Sequence, residues 1–82
     1  MTIKKYYLFT THSCPKCPAM KKFIDENIDL EGEILDNGHI NFMTMSEKYE
    51  VSEAPTFILV DEEENEIFRA NDIYEIEEFI EE

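Results

Sequence analysis

The pattern of hydrophobic and polar positions changes period several times along the chain, and each change marks a new element. Residues 5–10 form a compact apolar run, which is typical of a strand covered on both faces. From residue 15 onward, apolar side chains recur at helical spacing: Met20, Phe23, Ile24 and Ile28. Pro15 fits the first turn of this helix, where its missing N–H is not needed. Pro18 lies further in and predicts a slight distortion.

The middle of the chain predicts a strand, a turn and a second helix. We expect Gly32 to end the first helical unit and residues 33–36 to form a short strand. The Asn-Gly pair at 37–38 is a turn signal. Residues 40–50 are ambiguous, but three of their apolar side chains lie at helical spacing and favour a helix: Phe42, Met45 and Tyr49.

The last third of the chain predicts a hairpin followed by a helix. Residues 56–60 are the clearest strand, and an acidic turn at 61–65 leads into a second strand at 66–69. The last helix is expected to begin at Asp72, with Glu75 as a reciprocal cap. The order βαβαββα predicts an α/β fold in which three helices flank one four-stranded mixed sheet.

Length and charge narrow the range of functions. A chain of 82 residues has room for one domain, expected to cover residues 1–82. The net charge of −13 argues against nucleic acid and anionic membranes as partners. Residues 1–22 nevertheless carry +5, whereas residues 23–82 carry −18. No apolar run reaches the length of a membrane span, and the first residues do not match a signal peptide, so a cytoplasmic location is expected by default.

The only two cysteines, Cys14 and Cys17, follow the first strand and open the first helix. A disulfide between them closes almost no loop and adds little stability, so the pair calls for a chemical explanation. Helix amides and the macrodipole stabilise a thiolate at this position, and Lys16 adds a positive charge. We expect Cys14, at the cap, to attack a substrate disulfide. Cys17, one turn further in, then resolves the mixed disulfide.

Metal binding is the competing hypothesis. His12, Cys14, Cys17 and His39 together offer four zinc-type ligands, so a metal-binding or metal-delivery module is the alternative function. Structural zinc sites usually join two cysteine knuckles, however, and this chain has no second C-x-x-C, so we expect no metal. His12 is otherwise a loop residue that could assist proton transfer at the cysteines. His39 is expected in a solvent-facing turn.

Two motifs resemble those of the thioredoxin–glutaredoxin superfamily. They are Cys14-Pro15-Lys16-Cys17 after the first strand and Ala54-Pro55-Thr56 entering an apolar strand about forty residues later. Size and element order are closest to the glutaredoxins and to the glutaredoxin-like redoxins that supply electrons to ribonucleotide reductase. The resemblance implies a thioredoxin-like fold of the minimal glutaredoxin type. It also implies a cis peptide bond at Pro55 beside the cysteines, and a substrate strand paired with the backbone of Ala54.

Departures from the family patterns refine the expectation. Thioredoxins carry tryptophan and a buried acid near the cysteines, whereas this chain has no tryptophan and has Leu8 near the position of that acid. Glutaredoxins that use glutathione often have Lys or Arg where Thr11 stands, and a Gly-Gly turn before the acid matching Asp72. Here Phe68-Arg69-Ala70-Asn71 precedes Asp72 and is more similar to the reductase-linked redoxins. Arg69 and Asp72 are equally well explained as a surface charge and a helix cap.

The resemblance therefore implies a monomeric thiol–disulfide oxidoreductase without a bound cofactor. Its electrons would come from a flavin-dependent thioredoxin reductase, and so indirectly from NADPH, or from glutathione as co-substrate. Its partners would be protein disulfides, including that of ribonucleotide reductase. Substrate contacts are assigned to Val51, Ala54, Pro55 and Asp72. Phe57 could also line the docking groove, although a core position suits it better.

Overall fold

The computed structural model of the protein describes residues 3–81 and has seven elements in the predicted order. The strands are β1 (Ile3–Thr10), β2 (Glu31–Asp36), β3 (Thr56–Asp61) and β4 (Glu66–Ala70). The helices are α1 (Cys17–Asn27), α2 (Phe42–Lys48) and α3 (Ile73–Glu81). In this part of the chain, no helix combines the length and hydrophobicity needed to cross a membrane.

One mixed sheet with the order β2-β1-β3-β4 organises the fold and confirms the predicted α/β architecture. β1 runs parallel to β2 and antiparallel to β3, which forms the hairpin with β4. The two central strands, β1 and β3, are the most apolar, since residues 7–10 and 56–60 are buried. Strands covered on both faces read as continuous apolar runs, which is why these two were the easiest to predict.

The sheet separates two hydrophobic cores. On one face, α1 and α3 cover a core built from Leu8, Met20, Ile24, Phe57, Leu59, Ala70 and Ile76. On the other face, the α2 segment covers Tyr7, Phe9, Leu35, Tyr49, Ile58 and Val60. Each fully buried aliphatic or aromatic side chain contributes roughly 1.5–3 kcal/mol relative to an exposed one. Side chains alternate along β1, so consecutive residues stabilise opposite layers.

The first helix begins at Cys17, later than predicted. Lys16 is the N-cap residue, and the first helical hydrogen bond runs from Met20 N to Lys16 O, 3.1 Å away. Pro18 is therefore the second helical residue, and its missing N–H leaves no helical hydrogen bond unmade. The distortion predicted at Pro18 assumed a helix beginning near Pro15, and that boundary was wrong.

The prediction that Gly32 ends the first helical unit was wrong, because Gly32 lies within β2. The register places it beside Tyr6 of β1. The aromatic ring of Tyr6 lies over the glycine, so close that an added Cβ would overlap its ring carbons. The glycine therefore provides the space in which this ring packs against the core.

Two tyrosines, Tyr7 of β1 and Tyr49 at the end of α2, form hydrogen bonds to Glu64 in the hairpin turn. The Tyr49 hydroxyl donates to Glu64 O at 2.7 Å, and the Tyr7 hydroxyl donates to Glu64 Oε1 at 2.6 Å. Burial raises the pKa of Tyr49 to about 12, and burial together with the Glu64 hydrogen bond raises the pKa of Tyr7. The same hydrogen bond lowers the pKa of Glu64. Glu64 itself has the left-handed φ of 63° that the turn requires.

The capping predicted for the last helix is confirmed with one change of partner. Asp72 Oδ1 accepts a hydrogen bond from Glu75 N at 2.9 Å. Glu75 Oε1 accepts from Asn71 N at 3.0 Å, so the reciprocal bond reaches one residue further back. This arrangement fixes the start of α3 next to the end of β4.

The tight packing of Tyr6 on Gly32 can be tested with Gly32→Ala. We expect the free energy of unfolding to fall by about 1–3 kcal/mol, because the added methyl group displaces a ring packed on the core. The measurement is urea unfolding followed by circular dichroism. Gly38→Ala is the matched control, since the nearest atoms to a Cβ there are Asp36 Oδ1 at 3.3 Å and the His12 ring at 3.8 Å. Equal stability of the two variants would contradict this account of Gly32.

Candidate active site

The loop at residues 11–16 joins the buried end of β1 to α1 and carries the first cysteine. Cys14 N donates to Thr11 O at 3.3 Å, which closes a turn within the loop. His12 N donates to Asn37 Oδ1 at 3.2 Å and ties the loop to the turn after β2. These bonds hold the cysteine loop at the edge of the sheet where β1 and β2 both end.

Cys14 and Cys17 form a disulfide, with their Cα atoms 5.5 Å apart. Their environments differ as predicted: Cys14 is half-buried, whereas Cys17 is 3% exposed at the first position of α1. The prediction that Cys14 occupies the helix cap was wrong, because Lys16 is the cap and Cys14 lies two residues before it. Cys14 is thus the cysteine that another molecule can approach.

The N-terminal end of α1 favours negative charge beside the cysteines. The first-turn amides of a helix have no helical partners, and the macrodipole adds partial positive charge there. The first turn contains no acidic residue, and the side chain of Lys16 is exposed. Pro18 contributes no N–H, so the dipole and the remaining amides provide this polarity without it.

The segment before β3, residues 53–55, forms the opposite wall of the site, which we call the proline wall. Cys14, Pro15 and Lys16 line a cavity of about 280 Å³ together with Glu53, Ala54, Pro55 and Asn71. The peptide bond between Ala54 and Pro55 is cis. Both features that the family resemblance implied for Pro55, the cis bond and the place beside the cysteines, are confirmed.

Asn71 holds this wall in place, a role that sequence reasoning missed. Its Nδ2 donates to Pro55 O at 3.1 Å and to Thr56 Oγ1 at 3.0 Å. The Thr56 hydroxyl in turn donates to Glu53 O at 2.6 Å. The start of α3, the proline and the preceding loop are therefore one hydrogen-bonded unit. A lone asparagine before a helix has no sequence signal that identifies such a long-range contact.

Two further cavities extend the site on either side of the cysteine loop, and we call the three cavities together the cysteine groove. One, of about 430 Å³, is lined by Thr11, Ser13, Cys14, Pro15, Phe42, Val51, Ser52, Glu53 and Ala54. The other, of about 300 Å³, is lined by Pro15, Lys16, Ala19, Met20, Pro55, Asp72, Ile73 and Tyr74. Val51 and Asp72 thus both border the site, as predicted, although Asp72 also caps α3. Phe57 is fully buried and belongs to the core rather than to the groove.

The charge of the site is more mixed than the chain's basic first segment suggests. Lys16 borders the groove, but Glu53 and Asp72 from the acidic part of the chain border it as well. Folding therefore places both signs of charge around Cys14. A partner surface that meets this groove needs complementary charges of both signs.

Three other residues considered from the sequence lie away from the cysteine groove. His12 is exposed, and the ring of His39 accepts a hydrogen bond from Asn41 N at 3.0 Å. Arg69 donates to the carbonyl oxygen of Tyr49 and pairs with Glu66 at 2.8 Å, so it links β4 to the end of α2. Within residues 3–80, whose side chains the structure describes, no group of three or more His, Cys, Asp and Glu side chains is arranged to hold a metal ion.

Comparison with solved structures identifies thioredoxins as structural neighbours. The reduced thioredoxin preprotein of Schistosoma mansoni has a TM-score of 0.74 and 20% identity, over 98% of this chain and 78% of that one. Thioredoxin 1 of Thermosipho africanus has a TM-score of 0.67 and 27% identity, over 94% and 86% of the two chains. Spinach chloroplast thioredoxin f has a TM-score of 0.69 and 21% identity, over 96% and 72%. The fold is thioredoxin-like.

Sequence comparisons add no closer relative. No family model and no curated protein matches this chain. The thioredoxin-like fold and the cysteine pair at disulfide distance together support thiol–disulfide chemistry. The paired sulfurs can take up two electrons and two protons when their bond opens, and release them when it forms again.

The role of Asn71 can be tested with Asn71→Ala. Loss of its two hydrogen bonds should lower the free energy of unfolding by about 1–2 kcal/mol. It should also speed amide hydrogen exchange in residues 52–56, which mass spectrometry can follow. Asn41→Ala is the control, because Asn41 is exposed and its side chain caps no helix. Unchanged exchange in this segment would show that Asn71 does not hold the proline wall.

Proposed function

We propose that this protein is a thiol–disulfide oxidoreductase that reduces disulfides of other proteins by cycling Cys14 and Cys17 between dithiol and disulfide. The observation that carries the proposal is the pair itself. A half-buried cysteine is bonded to a buried one at a helix N-terminus, across a groove from Ala54 and Pro55. A disulfide spanning so few residues adds little to stability, which favours a chemical role.

In the first step, the thiolate of reduced Cys14 attacks one sulfur of the substrate disulfide. A bond forms between Cys14 and that sulfur, and the other substrate sulfur leaves as a thiolate that takes a proton. The helix N-terminus and Lys16 favour the thiolate form of Cys14. The greater exposure of Cys14 makes it the attacking residue, while the burial of Cys17 keeps it from reacting with the substrate directly.

In the second step, Cys17 attacks the sulfur of Cys14 in the mixed disulfide. The Cys14–Cys17 bond forms, and the second substrate sulfur leaves as a thiol. The substrate has then gained two electrons and two protons, and the protein has lost the same number. The Cα separation of 5.5 Å allows this bond without moving the backbone far.

The substrate docks as an extended segment along the wall formed by Ala54 and Pro55. Ala54 is partly exposed and lines the cavity beside Cys14, which supports pairing of its backbone with such a segment. The cavities bordered by Val51 and Asp72 would take side chains on either side of the reacting cysteine. Backbone pairing of this kind accepts different sequences, whereas the two cavities provide selectivity.

The more specific function that we propose is that of a cytoplasmic, monomeric dithiol carrier similar to the redoxins that serve ribonucleotide reductase. It is supported by the small size, the Phe-Arg-x-x-Asp sequence before α3 and the absence of a basic residue at Thr11. Those features favour a flavin-dependent thioredoxin reductase, fed by NADPH, over glutathione as the electron donor.

The cysteine roles are tested with two serine variants and a protein disulfide substrate. Cys14→Ser should abolish exchange, because the attacking sulfur is gone. Cys17→Ser should accumulate a mixed disulfide with the substrate, because the second step cannot occur. Non-reducing electrophoresis and mass spectrometry detect the adduct. An adduct formed by Cys14→Ser, or none formed by Cys17→Ser, would contradict the assigned order of attack.

The electron donor is tested by reducing the oxidised protein in two ways. We expect NADPH with thioredoxin reductase to reduce it faster than glutathione at cellular concentration does, with NADPH oxidation and thiol titration as the readouts. Heat-inactivated reductase is the control for direct reduction by NADPH. Faster reduction by glutathione would overturn the donor assignment and leave the cysteine chemistry unchanged.

A further inference from the structure

A buried hydroxyl without a hydrogen-bond partner lies at the end of β1. Thr10 is 1% exposed, and its Oγ1 is the one buried side-chain oxygen or nitrogen without a partner among the side chains that the structure describes, residues 3–80. Leaving a buried polar group unpaired costs free energy, because the group has lost its hydrogen bonds to water and gained none in return. Thr56, which is equally buried, satisfies its hydroxyl with two partners. The exception at Thr10 therefore calls for an explanation in the chemistry of its surroundings.

The strand pattern places Thr10 on the face of the sheet that α1 covers. Leu8, two residues earlier, packs in the core beneath α1 and α3, and alternate residues of a strand share a face. The β1–β3 register pairs Leu8 with Phe57 and Phe9 with Thr56. Its continuation sets Thr10 opposite Pro55, which borders the cysteine groove.

The helix geometry places Cys17 above Thr10. α1 crosses back over the sheet between the parallel strands β1 and β2, so its N-terminus lies at the end of β1. Met20 packs in the same core as Leu8, and Cys17 lies one helical turn before Met20. The three residues from Met20 back to Cys17 advance about 4.5 Å along the helix axis, and two strand residues advance about 6.6 Å. Helix and strand thus advance by similar amounts in the same direction, which sets Cys17 near Thr10 at the end of the layer in which Met20 and Leu8 share a core.

We propose that the Thr10 hydroxyl donates a hydrogen bond to the Cys17 sulfur when the disulfide is reduced, and so favours the dithiol form. This inference rests on the proposed redox cycle. In the oxidised form the Cys17 sulfur is bonded to Cys14, and Thr10 has no partner. In the reduced form the Cys17 sulfur is free, and its thiolate, the form that attacks in the second step, accepts a hydrogen bond far better than a disulfide sulfur does.

The reaction balances without any change at Thr10. A dithiol reductant donates two electrons and two protons, the bond between Cys14 and Cys17 breaks, and the reductant becomes a disulfide. Thr10 gains and loses no electron or proton, and only its hydrogen bond changes with the redox state. Its effect is on the equilibrium between the two forms and on the readiness of Cys17 to attack in the second step.

The test compares Thr10→Val, which replaces the hydroxyl by a methyl group of similar size, with Thr10→Ser, which keeps the hydroxyl. Each protein is equilibrated with dithiothreitol buffers of known potential, and its thiols are counted by alkylation and mass spectrometry. Because one hydrogen bond to the reduced Cys17 sulfur is lost, Thr10→Val should shift the equilibrium constant about two- to tenfold toward the disulfide. Tenfold corresponds to about 30 mV for a two-electron couple. Thr10→Ser should lie close to wild type.

A second measurement keeps the test decisive if the valine variant packs poorly. Urea unfolding of oxidised and reduced forms should show that Thr10→Val destabilises the reduced form relative to the oxidised form. A packing defect alone would affect both forms equally. Thr44→Val, an exposed position in α2, is the control and should change neither measurement.

The possible failures are distinguishable. If wild type and Thr10→Val have the same equilibrium constant, the Thr10 inference is wrong and the redox cycle stands. The same conclusion follows if Thr10→Val loses equal stability in its oxidised and reduced forms. If the wild-type disulfide does not equilibrate with dithiothreitol as a two-electron couple, the proposed function itself is wrong.

Discussion

The antiparallel pairing of β1 with β3 is the constraint on which the rest of this structure depends. Both strands are buried on both faces, and their register fixes which residues meet where the chain leaves the sheet. β1 ends just before the cysteine loop, and β3 begins just after Pro55. The same pairing that forms the core therefore sets Cys14 against the proline wall. A slip of one residue would exchange the two cores and separate the cysteines from Pro55.

Much of this arrangement follows from local patterns. The apolar runs of β1 and β3, the helical spacing in α1 and the Asp72–Glu75 cap each depend on interactions within a short stretch of chain. The C-x-x-C spacing likewise predicts thiol–disulfide chemistry from four residues, with metal binding as the alternative. The place of Pro55 beside Cys14 was different, because only the family resemblance implied it. The two motifs are about forty residues apart, and no local pattern joins them.

The features that could not be predicted all depend on contacts between distant segments. Gly32 looked like a helix end, but its absent side chain makes room for Tyr6 on the neighbouring strand. Asn71 gave no signal, yet it holds Pro55 and Thr56 through its amide. Glu53, from the loop before β3, brings acid into a site whose own segment is basic. The start of α1 was misplaced because Pro15 and Pro18 both suit a first turn, and only tertiary packing selects between them.

The claim that the cysteine pair exchanges disulfides rather than holding a metal is tested most directly on the purified protein. Its zinc content is measured first, and its effect on insulin reduction by dithiothreitol is measured next. The account predicts protein without stoichiometric zinc that accelerates insulin precipitation well beyond dithiothreitol alone. Protein that binds one zinc ion per chain and does not accelerate the reaction would contradict it and favour the metal-binding alternative.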